Sequence, residues 1–485
     1  MTLKTTLILT LALLGASVFA PVQRVSAAAE VIDVDSDRQL FLDNLWFHSK
    51  QGLELVFHTP TSREVAIQPE HPWERTLIHY SSVVYDQGLF RMWYRGTDGN
   101  PWNVMPNGGG QTFTCYAQSQ DGIHWEKPKL GVFPHSGSTA NNIIGSPRDF
   151  MNVSVIVDPN EKPGSKSRYK MISRVNGITG FVSADGLNWD LSETNPLLSR
   201  GPFDSHNILL WDEQSARFVI YLRATDMSVP GPFHGGRRAI RRSDSSDFRS
   251  WSEPKMVVRP DEGDPVDLHL YTNAAVNYYR ASRAFFMFPM VLYPERSYPG
   301  APLPGTSEIQ FATSRDGIQW QRSFRYPLIK PGLDEDNWVD RNPIMGHGVV
   351  PTGPSEISMY YSEFLRSSNS RIRRCTWRKD GFVSVKGPYK GWGEFTTPVI
   401  RFKGQRLELN YSTAGGGALQ VELQDEDGNP LPAFRMEDCP EILGDKIEGI
   451  VRWRLGENVS ALEGQPIRLR VRLQNADLYA FRFRR

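Results

Sequence analysis

Five short stretches of this sequence carry the residue types that acid–base chemistry needs, and each stands in front of an apolar, strand-like run. They are Trp73-Glu74-Arg75 with His79; Arg148-Asp149; Asp204-Ser205-His206-Asn207; Asp267-Leu268-His269-Leu270-Tyr271; and Asp336-Asn337-Trp338-Val339-Asp340-Arg341-Asn342. A single loop Asp most often satisfies the backbone of its own turn. Carboxylates at corresponding places of a repeated unit point instead to one concave site. Crowded there, they shift one another's proton affinity, so one can stay protonated while another is ionised. Hydrolysis of a glycosidic bond uses such a pair, one group protonating the leaving oxygen and the other serving as base or nucleophile. Neighbouring Arg and His would hold a carboxylate ionised or bind an acidic sugar. The candidate catalytic residues are therefore Asp149, Asp204, Glu74, Asp340 and Asp267. The candidate substrate-binding residues are His79, Arg148, His206, His269, Tyr271, Trp338, Arg341 and His347. Glu308 and Glu363, which stand on other strands, are expected to support rather than to react.

The elements that must position these residues are marked by a repeat. Ser119-Gln120-Asp121-Gly122-Ile123-His124-Trp125 recurs as Ser183-Ala184-Asp185-Gly186-Leu187-Asn188-Trp189 and as Ser314-Arg315-Asp316-Gly317-Ile318-Gln319-Trp320. Weaker copies centre on Asp247 and Asp380, so successive Asp positions are 64, 62, 69 and 64 residues apart. Self-similarity at such a period signals a repeat architecture such as a propeller. Asp-Gly is a strong hairpin signal because the tight turn requires positive φ, and the Trp that follows can pack between neighbouring sheets. The hairpin Asp is a turn residue; it locates the strands and does no chemistry.

Helical periodicity is nearly absent, and strand-like runs precede each hairpin, as in Phe90-Arg91-Met92-Trp93-Tyr94-Arg95 and Phe218-Val219-Ile220-Tyr221-Leu222-Arg223. These features predict an all-β chain, a five-bladed β-propeller followed by a β-sandwich. The expected divisions are a signal peptide over 1–27, N-terminal lead-in strands packing on the propeller over 28–66, the propeller over 67–386 and the sandwich over 387–485.

Lys and Arg number 55 against 54 Asp and Glu, so no net field favours nucleic acid. The 13 Trp, 17 Tyr and 25 Phe suit a carbohydrate partner as well as a core. Lys4, the apolar run from Leu7 to Ala20 and the small residues Val25-Ser26-Ala27 form a secretory signal, implying a secreted or periplasmic protein. No later stretch is long and apolar enough to span a bilayer. Cys115, Cys375 and Cys439 are scattered and read as buried free thiols. No Cys/His/Asp spacing suggests a metal. Gly108-Gly109-Gly110 lacks the strand–helix context of a phosphate loop, so no cofactor is expected.

With these hairpins, this blade count and the Phe90–Tyr94 strand, residues 67–386 resemble the five-bladed propeller glycosidases of families 32, 43, 68, 117 and 130. The resemblance implies a glycosidase acting on an oligo- or polysaccharide. Family 32 places a catalytic Asp at blade one, an Arg-Asp pair at blade two and a Glu at blade three. Arg148-Asp149 matches the second of these, implying a transition-state stabiliser. His79 stands where the nucleophile would be and Asp204 replaces the Glu, which favours an inverting mechanism. Glu74 could then take the missing role, or a His acid of the family 117 kind (His206, His269 or His347). The whole chain also resembles secreted planctomycete-type proteins through Trp73-Glu74, the run 336–342 and Glu437-Asp438-Cys439-Pro440-Glu441. Two alternatives stand beside this reading. One is a sialidase, which would bring three Arg onto a substrate carboxylate beside a Tyr nucleophile; the other is a propeller that binds glycan without cleaving it.

Overall fold

The computed structural model describes residues 31–99, 111–228, 235–301, 303–339 and 341–485. The expected signal peptide, Gly108-Gly109-Gly110 and Asp340 lie outside the described residues. Within them the chain is all-β, interrupted only by four single turns of 3-10 helix.

Blade one is a four-stranded antiparallel sheet of His79–Asp86, Leu89–Thr97, Thr112–Ser119 and Ile143–Gly145. Blade two uses Ser154–Val157, Tyr169–Ser173, Thr179–Ser183 and Asp190–Leu191, and blade three uses Ile208–Asp212, Arg217–Asp226, Arg237–Ser245 and Lys255–Val258. In the fourth unit each long strand is interrupted, so His269–Leu270, Met290–Tyr293 and Thr306–Ile309 form one small sheet. Val276–Asn277, Phe285–Met287, Ala312–Ser314 and Trp320–Gln321 form another. In the fifth, Ile344–Met345 and Val350–Pro351 pair with Glu356–Glu363, which pairs with Arg371–Arg378. The outermost strand of that sheet is Thr61–Ile67. An N-terminal strand therefore closes the ring, and residues 61–66, expected in the lead-in, sit in the fifth blade.

The axis is filled by small hydroxyls that let inner strands approach. Ser82 Oγ accepts from Val155 N at 3.0 Å, and Ser154 Oγ accepts from Leu209 N at 3.0 Å. His347 Nδ1 lies 3.2 Å from both hydroxyls. On the outer side, each Asp-Gly hairpin docks on the preceding blade. Tyr360 Oη donates to Gly122 O, Trp93 Nε1 to Gly186 O and Tyr221 Oη to Gly317 O, at 2.5, 2.8 and 2.5 Å. Gly186 has φ +77°, and a Cβ there would meet the Trp93 ring at 2.8 Å, so turn geometry and docking both demand glycine.

The remaining lead-in strands pair with the C-terminal region. Ile32–Asp35 runs parallel to Ile400–Phe402, while Gln39–Leu40, Ser49–Gln51 and Glu54–Phe57 join Arg468–Arg484, Gly393–Thr396 and Val383–Lys386. The C-terminal region is built around the long strands Arg406–Gln424 and Arg468–Arg484, which pair with each other on both sides of a register break. Both halves of Arg406–Gln424 feed one core, Leu407 and Leu409 from the first and Leu419, Val421 and Leu423 from the second. The register break between Thr413 and Ala418 supplies the bend this requires. A second core, with Leu40, Phe382 and Ala480 against Phe286, Phe288 and Trp377, fixes this domain to blades four and five.

Candidate functional site

Antiparallel pairing places the end of each second strand beside the start of the inner strand, as in the His79–Arg95 pair. Arg95, Arg174 and Arg223 occupy that end in blades one, two and three. The segments entering the inner strands are sharply turned: Tyr80, Asn152, Ala274 and Arg341 all have left-handed backbone, with φ of 52°, 54°, 41° and 62°. For residues other than Gly and Asn this costs about 1–2 kcal/mol each, and such strain collects at functional sites.

Asp204 is the carboxylate this arrangement brings to the centre. Its side chain is 71% exposed, with Oδ1 3.8 Å from Arg174 Nη1 and Oδ2 3.8 Å from Arg223 Nη1. Arg223 is anchored through its Nη1, which donates to the Asp204 main-chain oxygen at 2.8 Å. Arg95 reaches Asn152 Oδ1 and Thr112 Oγ1 at 3.4 and 3.3 Å. The Tyr80 ring lies between those of His79 and His206, with centroids 4.0 and 5.1 Å away. The Arg238 guanidinium sits 4.1 Å over the Tyr271 ring, and Arg341 donates to Tyr271 Oη at 3.5 Å. Arg174 and Asp204 continue into a cleft of about 690 Å³ between blades two and three, which Arg148, Met151 and Phe203 also line.

Burial sets the protonation of this centre. It lowers His206 and His269 to about 4 and His347 to about 3, and it drives His79 well below the ordinary imidazole range with help from Arg95. These rings are neutral at neutral pH. Burial and the neighbouring Tyr271 raise Tyr80 despite Arg341 and Arg95, so its phenol keeps its proton and can donate. Burial lowers Arg238 only to about 10, which leaves it charged.

The expected residues divide. Asp204, His79, His206, Tyr271 and Arg341 gather at the mouth. His269 is beside it, its Nδ1 accepting from Arg238 N at 3.3 Å. His347 is held among the inner-strand serines, its Nδ1 3.2 Å from the Ser82 and Ser154 hydroxyls. Glu74 does not belong to the site. Its carboxylate is wholly buried, accepting from Tyr94 Oη and pairing with Lys127 at 2.8 Å. Asp149 is exposed but accepts from Ser146 N and Oγ at 3.0 and 2.7 Å, which makes it the cap of its own turn. Asp267 faces Arg296 at 3.7 Å. Trp338 belongs to a different cavity, of about 440 Å³, where it stacks on Tyr298. Glu363 is tied to Arg371 and Arg373. Reasoning from carboxylates missed Tyr80 and the arginines 95, 174, 223 and 238. The recurrence of Arg at the close of the second strand was the available signal.

No family model matches this chain. Two uncharacterized proteins of Mycobacterium tuberculosis, Rv1502 and MT1551, are each 29% identical over 169 residues, 32% of this chain. The chain spans about half, 49%, of the length of these curated relatives. Among solved structures it is similar to a glycoside hydrolase family 43 arabinoxylan arabinofuranohydrolase from Bacillus subtilis, at 10% identity over 85% of this chain and 96% of that one, TM-score 0.42. It is also similar to a thermostable family-43 glycoside hydrolase (14%, 67% and 96%, TM-score 0.44). An N-acetylgalactosamine deacetylase from F. plautii gives 15%, 67% and 95%, with TM-score 0.45. The chemistry of this chain therefore rests on its own side chains.

Proposed function

We propose that this protein is an exported glycosidase that hydrolyses an oligo- or polysaccharide at the propeller mouth. The observation that carries this reading is the setting of Asp204, an exposed carboxylate between Arg174 and Arg223 that opens onto a cleft of about 690 Å³. That volume is within the roughly 300–1,000 Å³ typical of small-molecule sites. Asp204 takes a proton from the attacking water, whose oxygen bonds to the anomeric carbon as the glycosidic C–O bond breaks; the protonated Tyr80 phenol gives its proton to the departing oxygen and is reprotonated from solvent as Asp204 releases its own. A second reading, glycan binding without cleavage, is favoured by the commitment of Glu74 and Asp149 to partners of their own. Incubation with plant, algal and bacterial glycans separates the two. The hydrolase releases products and loses about 100-fold or more of its rate in Asp204→Asn while still binding. The binder retains glycan and releases nothing, even as wild type.

A further inference from the structure

Several arginines in this protein are tightly paired. Arg315 forks onto Asp43 at 2.8 and 2.9 Å, and Arg280 onto Asp380 at 2.9 and 3.2 Å. The three at the mouth are different. Arg95, Arg174 and Arg223 come from one repeated position and stand around one carboxylate, Asp204, which two of them approach only to 3.8 Å. Three cations around one anion leave a surplus of two positive charges there. The buried Nε atoms of Arg95 and Arg223 make no hydrogen bond, and neither does either nitrogen of the buried His79 ring. Nε is likewise unbonded in the ion-paired Arg38 and Arg322, so what sets the trio apart is its loose, solvent-open contact with Asp204. Guanidinium groups suit carboxylates and sulfates in particular, because their N–H donors form a planar fork.

We propose that Arg95, Arg174 and Arg223 bind the anionic substituent of an acidic sugar residue, so that the glycan taken by this site carries uronate or sulfate groups. The inference rests on the glycan-active reading above and narrows its substrate class. The arginines hold the charged substituent and Asp204 faces the remainder of the ring; Tyr271, with Arg238 over one face, walls the opposite side.

Calorimetric titration of the full chain tests this with three probes: an oligogalacturonate, the same oligosaccharide after carboxyl reduction, and a sulfated galactan oligosaccharide. Arg174→Gln is the informative variant, since a side chain 38% exposed can be replaced without emptying a core. Its folding is checked by thermal unfolding. The expected result is binding of the acidic oligosaccharide about 10-fold or more tighter than its reduced form. That margin should shrink in high salt, and in Arg174→Gln it should disappear, acidic and reduced forms then binding equally. Binding of the sulfated probe but not the uronate also supports the proposal and names sulfate as the source of the charge. Equal binding or cleavage of acidic and reduced oligosaccharides overturns the proposal and leaves the glycosidase reading standing. Failure to bind any glycan, charged or neutral, removes both.

Discussion

Two places in this protein surround a carboxylate with arginines, and treat it in opposite ways. At the junction between the domains, Asp380 and Glu408 have no exposed side-chain surface and every oxygen is held. Asp380 accepts from Tyr278 Oη and Asn410 Nδ2 at 3.0 Å and from Arg280 at 2.9 and 3.2 Å, with Arg38 Nη1 at 3.3 Å. Glu408 is shared by Arg38, Arg482 and Arg484 at 2.7 to 3.1 Å. At the propeller mouth, Asp204 keeps its guanidiniums at 3.8 Å and stays open to solvent. Dense bonding is what a charge needs when it serves as structure, since desolvation is otherwise uncompensated. Loose contact around an exposed carboxylate is what a ligand needs.

The comparison breaks most visibly at Asp380. Asp380→Ala leaves Arg38, 1% exposed, and Arg280 without their shared anion, which should cost about 3–5 kcal/mol. Asp204→Ala, at an exposed position, should change stability by no more than about 0.5 kcal/mol. Urea unfolding of both variants measures the difference, and equal losses would mean that the mouth is as structural as the junction.

Acid should separate the same two regions. His206 is neutral and held down to about 4 by burial, against about 6.5 in the unfolded chain. A lowered histidine binds its proton first in the unfolded state. Its contribution is intact above pH 6.5 and declines as pH falls toward 4, by about 3 kcal/mol in all. Asp380 behaves otherwise. Burial would raise it, but Arg38 and Arg280 prevail and hold it below the usual range, so its contribution lasts until pH falls below about 4 and is lost beneath that. Between pH 7 and 4 the slope of stability against pH should flatten in His206→Gln and remain that of wild type in Asp380→Asn. A flattened slope in the Asp380 variant instead would place the acid sensitivity at the junction.

Activity gives the next effect. Asp204→Asn should reduce glycan turnover by about 100-fold, the equivalent of about 2.7 kcal/mol, with its unfolding midpoint unmoved. A variant that loses stability in step with activity would make Asp204 a structural residue.

Legibility in the sequence followed the range of the interactions. The hairpins were plain because their chemistry is local. Asp121 Oδ1 accepts from Ile123 N and His124 N, two and three residues on, and Ser119 caps the same turn. The role of Asp149 was local too, since Ser146 stands three residues before it. It went unread because an Arg-Asp pair before an inner strand suggested catalysis. Glu74 depends on Lys127, and Asp380 on Arg38 from the chain's other end; no spacing rule reaches that far. The N-terminal strands were recognisable as strands, but their partners in the last hundred residues were not. The arginines at the mouth fall between these cases, for they recur in register with the repeat and were passed over in favour of carboxylates.

The smallest effect asks whether the junction differs from the other blade contacts in kind. Tyr360, Trp93 and Tyr221 each hold the hairpin of the next blade through a neutral glycine carbonyl. The hairpin of blade five is held instead by its Asp carboxylate, Asp380, on Tyr278. Tyr221→Phe removes the bond to a neutral carbonyl and should cost about 0.5–1.5 kcal/mol, whereas Tyr278→Phe removes one donated to a carboxylate and one accepted from Asp380 N and should cost about 1.5–3 kcal/mol. Both rings are fully buried, so the loss of packing is the same near-zero quantity in each, and the difference measures the bond to the carboxylate together with the one Tyr278 Oη accepts from Asp380 N at 3.0 Å. If the two substitutions cost the same, Arg38 and Arg280 satisfy Asp380 without help from the phenol. The junction would then be an ordinary blade contact to which salt bridges have been added.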